Sequence, residues 1–196
     1  GIKKTASWNS HQGGQLHLNS HYLNVAENLV DPAHVSFVHS TTLGSVASED
    51  VAIKTDATGD PIVAWRWIRN APPVGFFQEF GGFTGNVDRW HYYYLHLPCT
   101  AVIDFGSADV EVNIAEDQRN QGLQIFSLHF MTPVDERHTI DRWMHIRNTA
   151  INDETASAKI DELFNIAFAE DKVILEAIQI EEEQPMKRKP IRVAID

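Results

Sequence analysis

The sequence predicts an α+β domain, an antiparallel sheet followed by one long helix. Three observations predict it. Residues 51–147 divide into short segments rich in branched and aromatic side chains, each of strand length and bounded by polar or turn-forming residues. Residues 117–122 (DQRNQG) form a polar stretch between two such segments, as expected of a hairpin. Residues 153–183 then place Ile160, Phe164, Ala167, Ile174 and Ile178 at the three-and-four spacing of a helix with one buried stripe. At 196 residues, 43% of them hydrophobic, the chain is long enough for one domain with a sizeable core.

Taken in order, residues 15–23 alternate, Leu16 and Leu18 against His17 and Asn19, and predict a strand. Asp31-Pro32 reads as a helix start, with Asp as N-cap and Pro at the first helical position, where its missing N–H costs nothing. Residues 40–48, small and containing Gly44, predict a loop. Strands are expected at 51–55, 61–68 and 76–83, then at 89–97 and 100–105 on either side of Pro98. The segments 110–115, 123–131 and 138–147 complete the sheet. In 123–131 the alternation projects Ser127 and His129 to one face, Phe126 and Leu128 to the other. Trp65, Trp67, Trp90 and Trp143 read as core. Glu181-Glu182-Glu183 followed by Lys187-Arg188-Lys189 reads as a solvated exit from the helix.

Several function classes are argued against. A net charge of −11 speaks against a nucleic-acid partner. A single cysteine, Cys99, rules out a disulfide framework. No apolar run approaches a membrane span and no signal peptide opens the chain, so a cytoplasmic protein without a membrane partner is expected.

The chemistry concentrates in Asn28-Leu29-Val30-Asp31-Pro32-Ala33-His34-Val35-Ser36-Phe37-Val38-His39. Asp31 and His34 are three residues apart and share a helix face, but His34 and His39 are five apart. On a straight helix those two rings would point about 140° away from each other. They can hold one metal only if the helix ends, bulges or bends between them. The competing reading is two core histidines and an N-cap. A third group lies far along the chain. Asp171 continues the apolar stripe between Ala167 and Ile174, flanked on other faces by Glu170 and Lys172. A carboxylate on a core face costs several kcal/mol unless it is paired or binds metal; the alternative is a slightly rotated helix with Asp171 solvated. Two histidines and one carboxylate form the ligand set of non-heme Fe(II) oxygenases.

The pattern Asn28-x-x-Asp31-x-x-His34-x-x-x-x-His39 resembles the mononuclear-iron motif of the Rieske non-heme iron oxygenases. Glu27-Asn28-Leu29-Val30-Asp31 and Val38-His39 are most similar to the vanillate and dicamba demethylase branch, and residues 167–177 (AFAEDKVILEA) are similar to its C-terminal motif. The resemblance implies His34, His39 and Asp171 as Fe(II) ligands and Asn28 near the iron. It implies Asp31 as the bridge for electrons arriving from a Rieske [2Fe–2S] cluster on a neighbouring subunit. It implies a curved antiparallel sheet wrapped around the C-terminal helix, of the helix-grip (START-like) type. It further implies dioxygen and a small aromatic substrate, hydroxylated or O-demethylated, with electrons from NAD(P)H through a reductase or ferredoxin. Full-length relatives are homotrimers. His129-Phe130-Met131-Thr132-Pro133 is similar to the family's strand-end pattern, on a strand that lines the substrate pocket, which makes His129 a candidate substrate contact and Asn113 a second.

A Rieske cluster needs two Cys and two His, and with Cys99 alone this chain cannot bind one. Residues 1–196 are therefore expected to be the mononuclear-iron catalytic domain without its N-terminal Rieske domain, and turnover by this domain alone is not expected. Two other readings stay open: a non-catalytic helix-grip ligand-binding module with structural histidines, and a zinc hydrolase with Asp31 as general base. Arg66, Arg69, Arg89 and Arg147 each suit a substrate carboxylate, and the sequence does not say which points inward.

Overall fold

The computed structural model describes residues 7–39, 43 and 51–184. Its elements are β1 (Asn9–Leu18), α1 (Tyr22–Val30), α2 (His34–Val38), β2 (Lys54–Asp56), β3 (Ile62–Ala71), α3 (Gly75–Phe80), β4 (Val87–His96), β5 (Thr100–Asp109), β6 (Leu123–Pro133), β7 (Thr139–Arg147) and α4 (Glu154–Glu182). The strands form one seven-stranded sheet in the order β1-β7-β6-β5-β4-β3-β2, and every neighbouring pair is antiparallel. The sheet curves around α4, as the predicted fold class requires.

Alternation along the strands builds the core. Ile103 and Phe105 of β5, Ile125 of β6 and Trp143 of β7 face inward and pack against Ile160, Phe164, Phe168 and Leu175 of α4. The helix opens with Asp153 as N-cap, whose carboxylate accepts from Thr155 N (2.9 Å) and Ala156 N (3.2 Å). Arg147, at the end of β7, donates to the carbonyls of Thr149, Ala150 and Asp153, fastening the sheet to the start of α4. The outer face carries a smaller cluster of Trp90, Tyr92, Ala108 and Ile114, with Trp65, Trp67 and Tyr94 packed on it. Trp90 and Trp143 are thus buried as expected, while Trp65 and Trp67 are half-buried on the outside. Arg119 lies 3.7 Å over the Tyr92 ring and donates to Asp104, so the segment carrying it covers this outer face.

Several expected elements differ. The first strand starts earlier, at Asn9, and ends at Leu18; the remainder of 15–23 leads into α1, a helix the sequence reading does not contain. The expected strand at 76–83 is absent: residues 76–80 belong to helix α3 and 81–83 are irregular. Gly75 turns the chain at φ 53°, and Phe76 and Phe80 then stack one helical turn apart at 4.8 Å. Residues 110–115 are not a strand either. A 3-10 turn at Val110–Val112 ends on Asn113 in the left-handed region (φ 49°), and a second, Glu116–Gln121, replaces the tight hairpin turn. The strand at 51–55 is reduced to Lys54–Asp56. Along α4 the buried stripe runs through Leu175 and Gln179, while Ile174 and Ile178 are exposed. The loop at 40–48, apart from Leu43, and the basic run at 187–189 lie outside the described residues. Among the described residues no helix is long and apolar enough to cross a membrane.

Strand β5 has no room for a side chain at Gly106. A Cβ there would fall inside the Trp90 indole ring. Gly106→Ala is therefore expected to destabilise the domain by about 1–3 kcal/mol through overpacking, read as a lowered midpoint in urea unfolding with an unchanged slope.

Candidate metal centre

The helix between the two histidines ends where the geometry demands. α2 is five residues long, and its C-cap is His39, which leaves helical geometry at φ −105°, ψ 32°. Asp31 closes α1 as its C-cap. Its carboxylate then accepts from Ala33 N (2.7 Å) and His34 N (3.2 Å), capping the turn that starts α2. The expected capping chemistry is present, but the regular helix begins at His34, three residues after Asp31 and not directly at Pro32.

These two short helices bring His34 and His39 against α4. The Nε2 atoms of the two rings are 3.3 Å apart. Asp171 Oδ1 lies 3.1 Å from His39 Nε2 and 3.6 Å from His34 Nε2. Asp171 is only 6% exposed, and its Oδ1 has no hydrogen-bond partner among the described residues. Lone-pair-bearing atoms converging in a buried site repel one another unless a cation lies between them. Ligand bonds of about 2.1 Å to a divalent ion, set at right angles, would place neighbouring donor atoms about 3 Å apart. The observed separations suit that arrangement, and His34, His39 and Asp171 fit a metal of the kind imidazole and carboxylate bind.

Glu170 completes the site, and the sequence reading had assigned it to another face. His39 Nδ1 donates to Glu170 Oε2 at 2.8 Å, which fixes the tautomer and aims the Nε2 lone pair at Asp171 and His34. Burial opposes a charged His39 ring, yet Asp171 and Glu170 outweigh it and hold its pKa above the ordinary value. The signal for Glu170 was its place beside Asp171 on the helix, about 100° around, from which a long side chain reaches the partner of its neighbour. Asp31 lies 3.6 Å from His34 Nδ1, beyond hydrogen-bond distance. Burial raises the Asp31 pKa, but the His34 ring and the Ala33 and His34 amides hold it below the usual carboxylate range.

A narrow cavity adjoins the three groups, lined in part by Asn28, His34, His39, Asp171 and Tyr93. Asn28 thus shares a cavity with His34, His39 and Asp171. Tyr93 is a residue no sequence signal singled out. It is buried, and its hydroxyl has no hydrogen-bond partner among the described residues. His129 and Asn113 are not among the residues lining this cavity. Asn113 is exposed. His129 is fully buried, with Nδ1 donating to Asp141 Oδ2 (2.7 Å), Ser127 Oγ 3.0 Å from Nε2, and its ring against Phe168. Ser127, His129 and Asp141 form a serine–histidine–carboxylate chain, but Ser127 is fully buried and so offers no accessible nucleophile.

Comparison with known proteins shows the family and the fold. The chain is 30% identical over 187 residues to the toluene-4-sulfonate monooxygenase system iron-sulfur subunit of Comamonas testosteroni, covering 93% of this chain and 54% of that protein. It is 25% identical over 172 residues to a vanillate O-demethylase oxygenase subunit of Pseudomonas sp. (strain ATCC 19151), covering 85% of this chain and 52% of that one. The chain thus spans about half the length of the curated relatives it matches. Dicamba monooxygenase bound to dicamba superposes with a TM-score of 0.82 at 20% identity, over 96% of this chain and 54% of that chain, which establishes the fold. Residues 18–196 match the family described as the vanillate O-demethylase oxygenase C-terminal domain, and the chain belongs to that family.

Proposed function

We propose that this domain is the catalytic part of an oxygenase that uses mononuclear non-heme Fe(II) and dioxygen to hydroxylate or O-demethylate a small aromatic substrate. Electrons would come from NAD(P)H through a reductase or ferredoxin and a Rieske [2Fe–2S] cluster. The cluster's two-Cys, two-His ligand set is not present in this sequence, so the cluster would have to be held by residues other than these 196. One observation carries the proposal: a buried, hydrogen-bond-orphaned carboxylate oxygen facing two imidazole nitrogens. The names of the relatives, a demethylase and a monooxygenase component, support the reaction class.

In this reading His34, His39 and Asp171 hold the iron on one face, leaving positions open on the other. Bound Fe(II) would supply the activation of dioxygen for oxygen insertion at a substrate carbon. Glu170 keeps His39 in the ligating tautomer. Asp31 holds the α1–α2 turn through backbone hydrogen bonds and so sets the position of His34, besides standing on the path by which the family pattern brings electrons in. Phe105, Phe164 and Phe168 wall the cavity and keep water from the reacting centre. The zinc-hydrolase alternative needs a general base, and Asp31 is poorly suited, since backbone amides engage both its oxygens and its pKa is held low.

Anaerobic titration with Fe(II) is expected to load one ion per chain. At a hundredfold excess over Kd the gain is about 2.7 kcal/mol, or about 5–10 °C in Tm for a domain of this size. Asp171→Ala should bind no iron and show no such shift. If neither protein takes up iron, the ligand-binding module becomes the better reading. Glu170→Gln, which retains shape but loses the charged acceptor for His39, should weaken iron affinity about 10–100-fold, measured by competition with a chelator.

A further inference from the structure

Arg89, His91 and Tyr93 alternate along the inner face of β4. Arg89 and His91 line a second cavity, which adjoins the one at the metal centre across Leu43, Phe105 and Phe164. Tyr93 lines the metal-centre cavity itself. It lies on a central strand, opposite Ala64 of β3 and Ile103 of β5. Its ring meets His91 and Phe105 edge-on, at 6.3 and 5.8 Å between centroids. The neighbouring strands and these ring contacts fix the plane of the phenol, so its O–H can swing only about its own C–O bond.

That hydroxyl is out of place as packing. Tyr93 is 1% exposed, and its oxygen has no hydrogen-bond partner among the described residues. A buried tyrosine ordinarily pairs its O–H; left unpaired, the group carries its desolvation penalty with nothing to offset it. Phenylalanine would fill the same space without that penalty. Burial pushes the Tyr93 pKa above its ordinary value; Arg66 opposes this and Asp31 and Asp171 reinforce it, so the proton stays on the oxygen.

The other groups around the cavity leave a place for such a donor. His34, His39 and Asp171 present lone pairs, which a metal ion would engage. Leu29, Val35, Ile103, Phe164 and Phe168 are hydrocarbon. Besides the half-buried Asn28 amide, the donor that the cavity offers a small ligand is the Tyr93 hydroxyl. A donor already fixed in a dry site stabilises negative charge developing on a ligand, with no reorganisation to pay for.

We propose that Tyr93 is the hydrogen-bond donor to the small ligand, dioxygen or one of its size, that occupies the positions left open by His34, His39 and Asp171. Its O–H would meet the end of the ligand turned toward β4 and hold negative charge there as it develops. This role rests on the oxygenase reading above; the cost of the unpaired hydroxyl in the metal-free chain does not.

The test compares the parent with Tyr93→Phe, which deletes the oxygen and keeps the ring. Fe(II) uptake is measured first and should be the same in both, since the phenol is not a ligand. The Fe(II)-loaded chains are then titrated anaerobically with nitric oxide, a diatomic probe, and followed by electron paramagnetic resonance. Nitric oxide should bind the variant about 3–10-fold more weakly, the loss of one hydrogen bond. In urea, the metal-free variant should unfold at a midpoint equal to or above the parent's, because an unpaired polar group has been removed; a merely structural hydroxyl would move it down. Unchanged nitric oxide affinity, weakened Fe(II) uptake, a lowered midpoint or a variant that does not fold would each overturn the proposal. Iron uptake with unchanged nitric oxide affinity sinks this proposal and leaves the oxygenase reading standing, whereas a parent chain that takes up no iron sinks both.

Discussion

Burying the carboxylate of Asp171 on the enclosed face of α4 sets the terms for its surroundings. A charge taken out of water there needs partners with positive character, and the described residues around it offer imidazoles and not a lysine or arginine contact. The imidazoles must therefore be brought to it. That requires α2 to stop at His39, so that two rings five residues apart converge. It requires the Asp31 carboxylate to hold the preceding turn, and Glu170 to hold one ring from behind. Each of these local features would be dispensable without the buried oxygen they converge on.

The inner face of the sheet shows the same departure from simple packing. Arg89, His91 and Tyr93 alternate along β4, Ser127 and His129 along β6, and Asp141, Trp143 and His145 along β7, all turned toward α4. An entirely apolar face would pack as well and cost no desolvation. His145 shows the cost: it is fully buried, stacked 4.4 Å from Phe164, with neither ring nitrogen hydrogen-bonded among the described residues, and burial pushes its pKa down to about 2. Proteins break the rule of local consistency chiefly where function requires it, and here Arg89, His91 and Tyr93 line the two adjoining cavities.

Much of this was legible in the sequence. The long helix, the strands from β3 to β7 and the placement of Asp171 on a core face follow from period and composition. The convergence of His34, His39 and Asp171 followed from spacing combined with resemblance, and the required break between His34 and His39 could be stated before its position was known. What was illegible has physical causes. Residues 76–83 are a short aromatic run, which fits a strand or a buried helix equally well by periodicity; Gly75 with positive φ decides it. Asn113 reads as a strand residue until its left-handed conformation ends the 3-10 turn. Beyond Asp171 the apolar residues Ile174 and Ile178 suggest one stripe, but the enclosed face passes to Leu175 and Gln179, since Gln179 accepts a backbone hydrogen bond from His21 at 2.7 Å. Glu170 and Arg89 depend on contacts between segments far apart in the chain, which no local pattern encodes.

The side chains of the candidate metal centre are drawn from both ends of the fold, with His39 and its partner Glu170 131 positions apart. α1 and α2 come before nearly all of the sheet, and α4 after it. An ion that binds only when these meet favours, by mass action, every conformation in which both ends are docked. It would therefore act as a clasp, opposing the local opening by which terminal helices ordinarily lift from a sheet. Occupancy of the site and closure of the domain would then be one equilibrium, and loss of such an ion would be felt first as fraying at α1, α2 and the middle of α4, while the central strands β4 to β6 keep their hydrogen bonds.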